Sequence, residues 1–150
     1  MTRTVKTRRP IRLEKFNDGW QAATIEVDKA NLDSILLELS LIREDLVERV
    51  VFLGQAGTSI SAQLKNDSDW SSGSFTKEKA VLNLCLREVD FTLSFLLKYY
   101  RDGVADVDHI DVAIFDRNSD AEIGTLTIHV ADARPPISGE EAMRILSKGR

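Results

Sequence analysis

One cysteine in 150 residues leaves Cys85 without an intrachain disulfide partner and excludes a zinc cage built on cysteines. That scarcity fits a reducing compartment, and a cytoplasmic protein is expected. Long apolar runs are missing as well: none approaches the roughly 18 to 20 residues of a membrane-spanning helix, so the protein is expected to be soluble. The first ten residues carry charges but no apolar segment of the secretory type. Gly54 and Gly57 precede Thr58 and Ser59 without a lysine, so they do not form a phosphate loop. No Gly-x-Ser-x-Gly elbow occurs, and Cys85 has no partner that would make it a nucleophile. These absences point away from an enzyme and name no cofactor.

What is present is the material of one ordinary domain. A chain that is 43% hydrophobic and 29% charged can build a core and keep a polar surface. Residues 1–10, polar and basic and closed by Pro10, read as a mobile arm, with a single domain over 11–150. Charge is unevenly placed. Arg3, Lys6, Arg8, Arg9, Arg12 and Lys15 against Glu14 give the first fifteen residues +5, which leaves −9 on the remainder. Seven acidic residues between 102 and 122 face Arg117 alone. Such a body disfavours nucleic acid except through residues 1–15, and its acidic stretch suits a basic protein partner or a solvated surface.

Periodicity predicts three hairpins and three helices. Strands over 11–16 and 20–27 flank Asn17, Asp18 and Gly19, a loop in which Gly19 takes the left-handed position and Phe16 pairs with Trp20. Ile11, Leu13, Ala23, Ile25 and Val27 then share the core face. A first helix, capped by Asp28 or Asn31, runs to about Arg49 on Leu32, Ile35, Leu39, Ile42 and Leu46. Residues 49–65 admit a second hairpin or a kinked extension of that helix, and the glycines favour the hairpin. Residues 65–74 read as a loop with Trp70 embedded in it. Residues 76–101 read as a long central helix, apolar nearly all round, with a polar stripe from Asn83 through Arg87, Asp90, Ser94 and Lys98 to Arg101 and a stop at Gly103. Strands over 109–115 and 123–130 make a third hairpin, and Ser138 caps a short last helix over 140–147 beyond Pro135 and Pro136. The expected fold is α+β: an antiparallel sheet of four to six strands in ββα ββα ββα order, with helices packed on one face.

One polar cluster has a spatial argument behind it. If His109 pairs with His129, then Asp111, Thr125 and Thr127 share their outward face, giving two imidazoles and a carboxylate for a metal or acid–base site. Cys85 falls away from the polar stripe and is expected in the core. Two resemblances arise from particular residues. Cys85-Leu86-Arg87-Glu88, followed by Asp90 and Tyr99-Tyr100, resembles the bilin-attachment helix of phycobiliproteins, which implies an all-helical fold. The acidic α+β plan, the leucine-rich helix leading into Val-Val-Phe-Leu-Gly, and the closing Glu-Glu-Ala-Met-Arg-Ile-Leu are similar in style to bacterial toxin-immunity proteins, which implies an inhibitor that docks on its partner. The leading expectation is therefore a binding protein that uses Asp102, Asp106, Asp108, Asp111 and Asp116 against a basic partner, with Trp70 and Trp20 as anchors. A metal-binding or catalytic domain on His109, His129 and Asp111, and a homodimeric scaffold, are the rivals.

Overall fold

Apolar residues spread over short strands need a common cover, and the chain supplies it by curling nine strands into one sheet around two helices. The computed structural model describes residues 3–135 and 138–148. In chain order the elements are β1 (Thr4–Arg8), β2 (Ile11–Lys15), β3 (Gln21–Val27), α1 (Leu32–Arg43), β4 (Arg49–Leu53), β5 (Ser59–Lys65), β6 (Ser71–Phe75), β7 (Lys79–Cys85), α2 (Leu86–Asp102), β8 (His109–Asp116), β9 (Glu122–Val130) and α3 (Gly139–Lys148). The strands form one nine-stranded mixed sheet in the order β1-β4-β5-β7-β6-β8-β9-β3-β2. An antiparallel sheet of four to six strands in three ββα units is therefore the wrong fold. Four of the pairings, β1 with β4, β5 with β7, β6 with β8 and β3 with β9, are parallel.

The strand order contains a twofold repeat of ββαββ rather than a threefold ββα. In each half a first strand pairs antiparallel with the second and parallel with the third, while the third and fourth form a hairpin: β1 with β2 as the first strand, then β3, β4 and β5 in one, β6, β7, β8 and β9 in the other. The halves join twice, fourth strand to second, through β5 with β7 and β9 with β3. In the first half the first strand is split. β1 and β2, the two ends of the sheet, are separated only by Arg9 and Pro10. The Arg9 N–H donates to the Leu53 carbonyl at 3.0 Å, and the Pro10 carbonyl accepts from Glu26 at 2.9 Å. Pro10 has no N–H to give, so the strand changes partners where a ladder donor is lost. At that point the sheet meets itself. Residues 4–8, expected in a mobile arm, are thus a paired strand.

Inward-facing side chains make one core: Ala23, Ile25 and Val27 of β3, Phe52 of β4, Ile60 of β5, Leu82 of β7, Ile114 of β8 and Ile128 of β9, with Ile35 and Leu39 of α1 and Leu96 and Tyr99 of α2. The expected central helix over 76–101 is corrected here. Lys79–Cys85 is a strand and only Leu86–Asp102 is helical. Ala80, Leu82 and Leu84 face the core, while Asn83 and Cys85 on the opposite parity are also buried, so a strand covered on both faces imitated an all-round apolar helix. Asn83 accordingly belongs to no helical stripe; its Oδ1 accepts from Gln63 Nε2 at 2.6 Å across the sheet. The helix ends as read, with Gly103 at φ 74° and its N–H bonded to the Tyr99 carbonyl. α1 stops at Arg43, short of Arg49, and Leu46 lies exposed beyond it. Residues 49–65 form the hairpin β4–β5, and the stretch 65–74 holds β6 as well as a loop.

Candidate functional site

The hairpin β2–β3 turns through Asn17, Asp18 and Gly19, with Gly19 at φ 88° and Phe16 N–H bonded to the Trp20 carbonyl at 2.8 Å, as the residue spacing requires. Asp18 fixes this turn by accepting the Trp20 N–H at 3.0 Å. At the same end of the sheet the β8–β9 turn closes on Asp116, whose carboxylate accepts the Asn118 N–H at 2.8 Å. The two turns and β6 enclose a depression of about 460 Å³ lined by Asp18, Trp20, Gln21, Phe75, Asp116, Arg117, Asn118 and Glu122. Gln21 and Phe75 of its lining are packed against Gly124 of β9. A Cβ at Gly124 would lie 2.1 Å from the Gln21 carbonyl oxygen and 3.1 Å from the Phe75 ring, so only glycine lets β9, β3 and Phe75 come this close. Three carboxylates, a half-buried indole and a single guanidinium thus share one concave surface, an environment that favours a cation or a basic side chain.

The predicted acidic contact residues do not form one patch. Asp116 and Trp20 meet in the depression, joined by Glu122, which the sequence counted in the acidic stretch 102–122, and by Asp18, which it read only as a turn residue. Asp102 is bonded by Arg101 at 2.7 Å, which holds its carboxyl below the usual range. Asp106 lies 3.4 Å from both Lys98 and Arg134. Asp108 accepts from His109 at 2.6 Å, and Asp111 accepts from the Thr127 hydroxyl at 2.6 Å. These four stand along the α2–β8 connection and the outer face of β8, each answered by a neighbour. Trp70 also stays apart. It is half exposed on the outer face, its ring 6.2 Å from that of Phe115 at 52°.

His109 and His129 are cross-strand partners, as the pattern requires, with Asp111 opposite Thr127 one rung on. The Nδ1 atoms are already engaged, His109 by Asp108 and His129 by Glu26 of β3, each at 2.6 Å. Glu26 came to this row through the parallel β3–β9 pairing, which no local pattern announces. The hydrogen bond with Asp108 raises the His109 pKa above the ordinary histidine value; partial burial opposes it, and the charges of Asp111 and Asp108 add to it. Among the described residues no three His, Cys, Asp or Glu side chains gather as a metal ion requires.

Cys85 is fully buried, as expected of a core residue. It ends a strand rather than sitting within a helix, so the bilin-type segment is not helical through its cysteine. Its N–H donates to the buried Ser71 hydroxyl at 3.0 Å. Glu88, in the first turn of α2, is pushed above the usual carboxylate range by burial, against hydrogen bonds from Cys85 and Ser71 and the charge of Arg87. The basic start of the chain is similarly committed: Arg9 Nε donates to Glu38 at 3.1 Å, and Arg12 lies 3.3 Å from Glu26. Among the described residues no helix is long and apolar enough to cross a membrane. No family model matches the chain, and no curated protein is significantly similar to it.

Proposed function

We propose that this protein is a binding module, not a catalyst, and that it receives a basic segment of a protein partner in the depression between the β2–β3 and β8–β9 turns. One observation carries the reading: Trp20 stands with the carboxylates of Asp18, Asp116 and Glu122 around a concave surface that holds Arg117 as its one cation. Carboxylates give an incoming arginine or lysine charge-assisted hydrogen bonds, and an indole face adds cation–π attraction and a rigid apolar contact. The acidic character of residues 102–122 then acts mainly at a distance, by steering a basic partner toward the molecule. An inhibitor of the immunity type is one protein that would work this way.

A synthetic peptide with arginines spaced by glycine and serine is a suitable probe, titrated against tryptophan fluorescence in a Trp70→Phe background so that Trp20 alone reports. The reading expects a saturable change that the double substitution Asp116→Asn with Glu122→Gln weakens by about tenfold or more, or roughly 1.4 kcal/mol. Titration of the Asp106→Asn variant should match the parent. Equal weakening by both sets of substitutions would mean that only the overall charge matters, and the depression would lose its role.

A further inference from the structure

The free edge of β2 lies in a cleft. Bonds from the Phe16 N–H to the Trp20 carbonyl at 2.8 Å and from the Glu26 N–H to the Pro10 carbonyl at 2.9 Å set the hydrogen-bonded pairs of the β2–β3 ladder at Phe16, Glu14, Arg12 and Pro10. The residues between them, Ile11, Leu13 and Lys15, therefore turn their N–H and C=O groups away from β3. β2 ends the sheet, so among the described residues no strand meets them. β4 stops short of this edge: it runs beside β1 as far as the Leu53–Arg8 pair, and a Cβ on Gly54 would then stand 2.5 Å from the Ile11 side chain. Beyond that contact a cleft of about 790 Å³ opens between β2 and the β4–β5 turn, its lining including Arg8, Pro10, Ile11, Leu13, Leu53 and Gln55. A second depression of about 440 Å³ shares Leu13 with it and carries the edge on past Lys15 to Phe75 and Lys77.

We propose that this cleft receives an extended, carboxylate-bearing segment of a protein partner, which adds to the free edge of β2 as one more strand. The backbone names the form of the occupant, because alternate N–H and C=O groups on an edge strand are matched by another extended chain. Charge names its side chains. Arg9 is taken by Glu38, and Arg12 by Glu14 and Glu26 at 3.4 and 3.3 Å, but among the described residues no carboxylate pairs with Arg8, Lys15 or Lys77. These three cations stand along the edge of an otherwise acidic body, where carboxylates of an incoming strand meet them. Pro10, Leu13 and Leu53 offer apolar contact to the alternate side chains. In the internal repeat the cleft is the counterpart of the acidic depression: each lies where a first strand runs on past the end of the third, β2 past β4 and β6 past β8. The two share no charged residue, so this contact is independent of the one proposed for a basic segment.

The probe is a short peptide alternating valine and glutamate, capped at both ends and titrated into the ¹⁵N-labelled full chain. The amides of Ile11, Leu13 and Lys15 should shift saturably and become protected from hydrogen exchange. The same peptide N-methylated at every residue keeps its charges and loses its donors, and should leave those amides in place. Arg8→Gln with Lys15→Gln, both at exposed positions, should weaken binding by about tenfold or more, whereas Lys98→Gln with Arg101→Gln, an equal loss of charge on α2, should not. Unmoved amides over 11–15 overturn the proposal, as does an equal response to the N-methylated peptide. Equal weakening by the two pairs of substitutions, or displacement of the probe by an oligothymidylate, overturns it as well, the first by reducing the contact to overall charge and the second by making the cleft a nucleic-acid site.

Discussion

Arg9 and Glu38 show how one buried pair can fix a fold. Glu38 points from α1 into the core side of the sheet, almost wholly buried, and its carboxylate is held by the guanidinium of Arg9 and by the Thr7 hydroxyl at 2.9 Å. Arg9 is also the residue at which the first strand changes partners, so the pair ties α1 to the place where the sheet meets itself. Removing the cation leaves a carboxylate with no counter-charge in a dry site, which costs about 3–5 kcal/mol. Urea unfolding of Arg9→Ala should show a loss of that size, and a loss near zero would mean that the seam is held by backbone pairing alone. Outside, on the sheet face, His109 gives a pH-dependent term. Its folded pKa is raised, chiefly by Asp108, so its stabilisation is complete below the unfolded value of about 6.5 and is lost as pH rises through the folded one. NMR titration should place the His109 midpoint above that value, and Asp108→Asn should bring it down; an unmoved midpoint would assign the shift to Asp111.

At the scale of elements, the hairpins were legible because alternation and turn residues are local. Gly19, the Phe16–Trp20 pair and the His109–His129 register could all be read from spacing, and each stands where the spacing puts it. β7 was not legible. Sheltered on both faces, Lys79–Cys85 presents apolar residues at every parity and runs into α2 without a glycine or proline between them, so period alone could not separate strand from helix. β1 and β6 were missed for other reasons: β1 is short, basic and half exposed, and β6, Ser-Ser-Gly-Ser-Phe, has the composition of a loop. Their strand character comes from β4, β7 and β8 beside them, a tertiary cause that a single sequence does not display. Leu82, fully buried in β7, offers a check on the element: Leu82→Ala should cost about 2–5 kcal/mol. Hydrogen exchange of that variant should rise in β5 and β6, the strands paired with β7; a rise confined to α2 would speak for the helical reading.

For the whole molecule, the twofold ββαββ arrangement explains where the candidate site lies. Parallel pairings bring hairpins from distant parts of the chain to one end of the sheet, so Asp18 and Trp20 come to share a depression with Asp116 and Glu122. Trp20 and Asp116 were both legible as candidates, while their meeting in one depression depended on the parallel β3–β9 register. The other foreseen acids, Asp102, Asp106, Asp108 and Asp111, are dispersed by the same architecture and matched by local partners. The protein carries two indoles, one in the depression and one outside it, and that separation gives the most direct measurement of the binding proposal. In a ¹⁵N–¹H correlation spectrum recorded during titration with the arginine-containing peptide, the Trp20 indole resonance and the amides around 17–21 and 116–123 should shift together while the Trp70 indole stays in place. A shift of Trp70 with Trp20 unmoved, or no shift in either turn, would contradict the account.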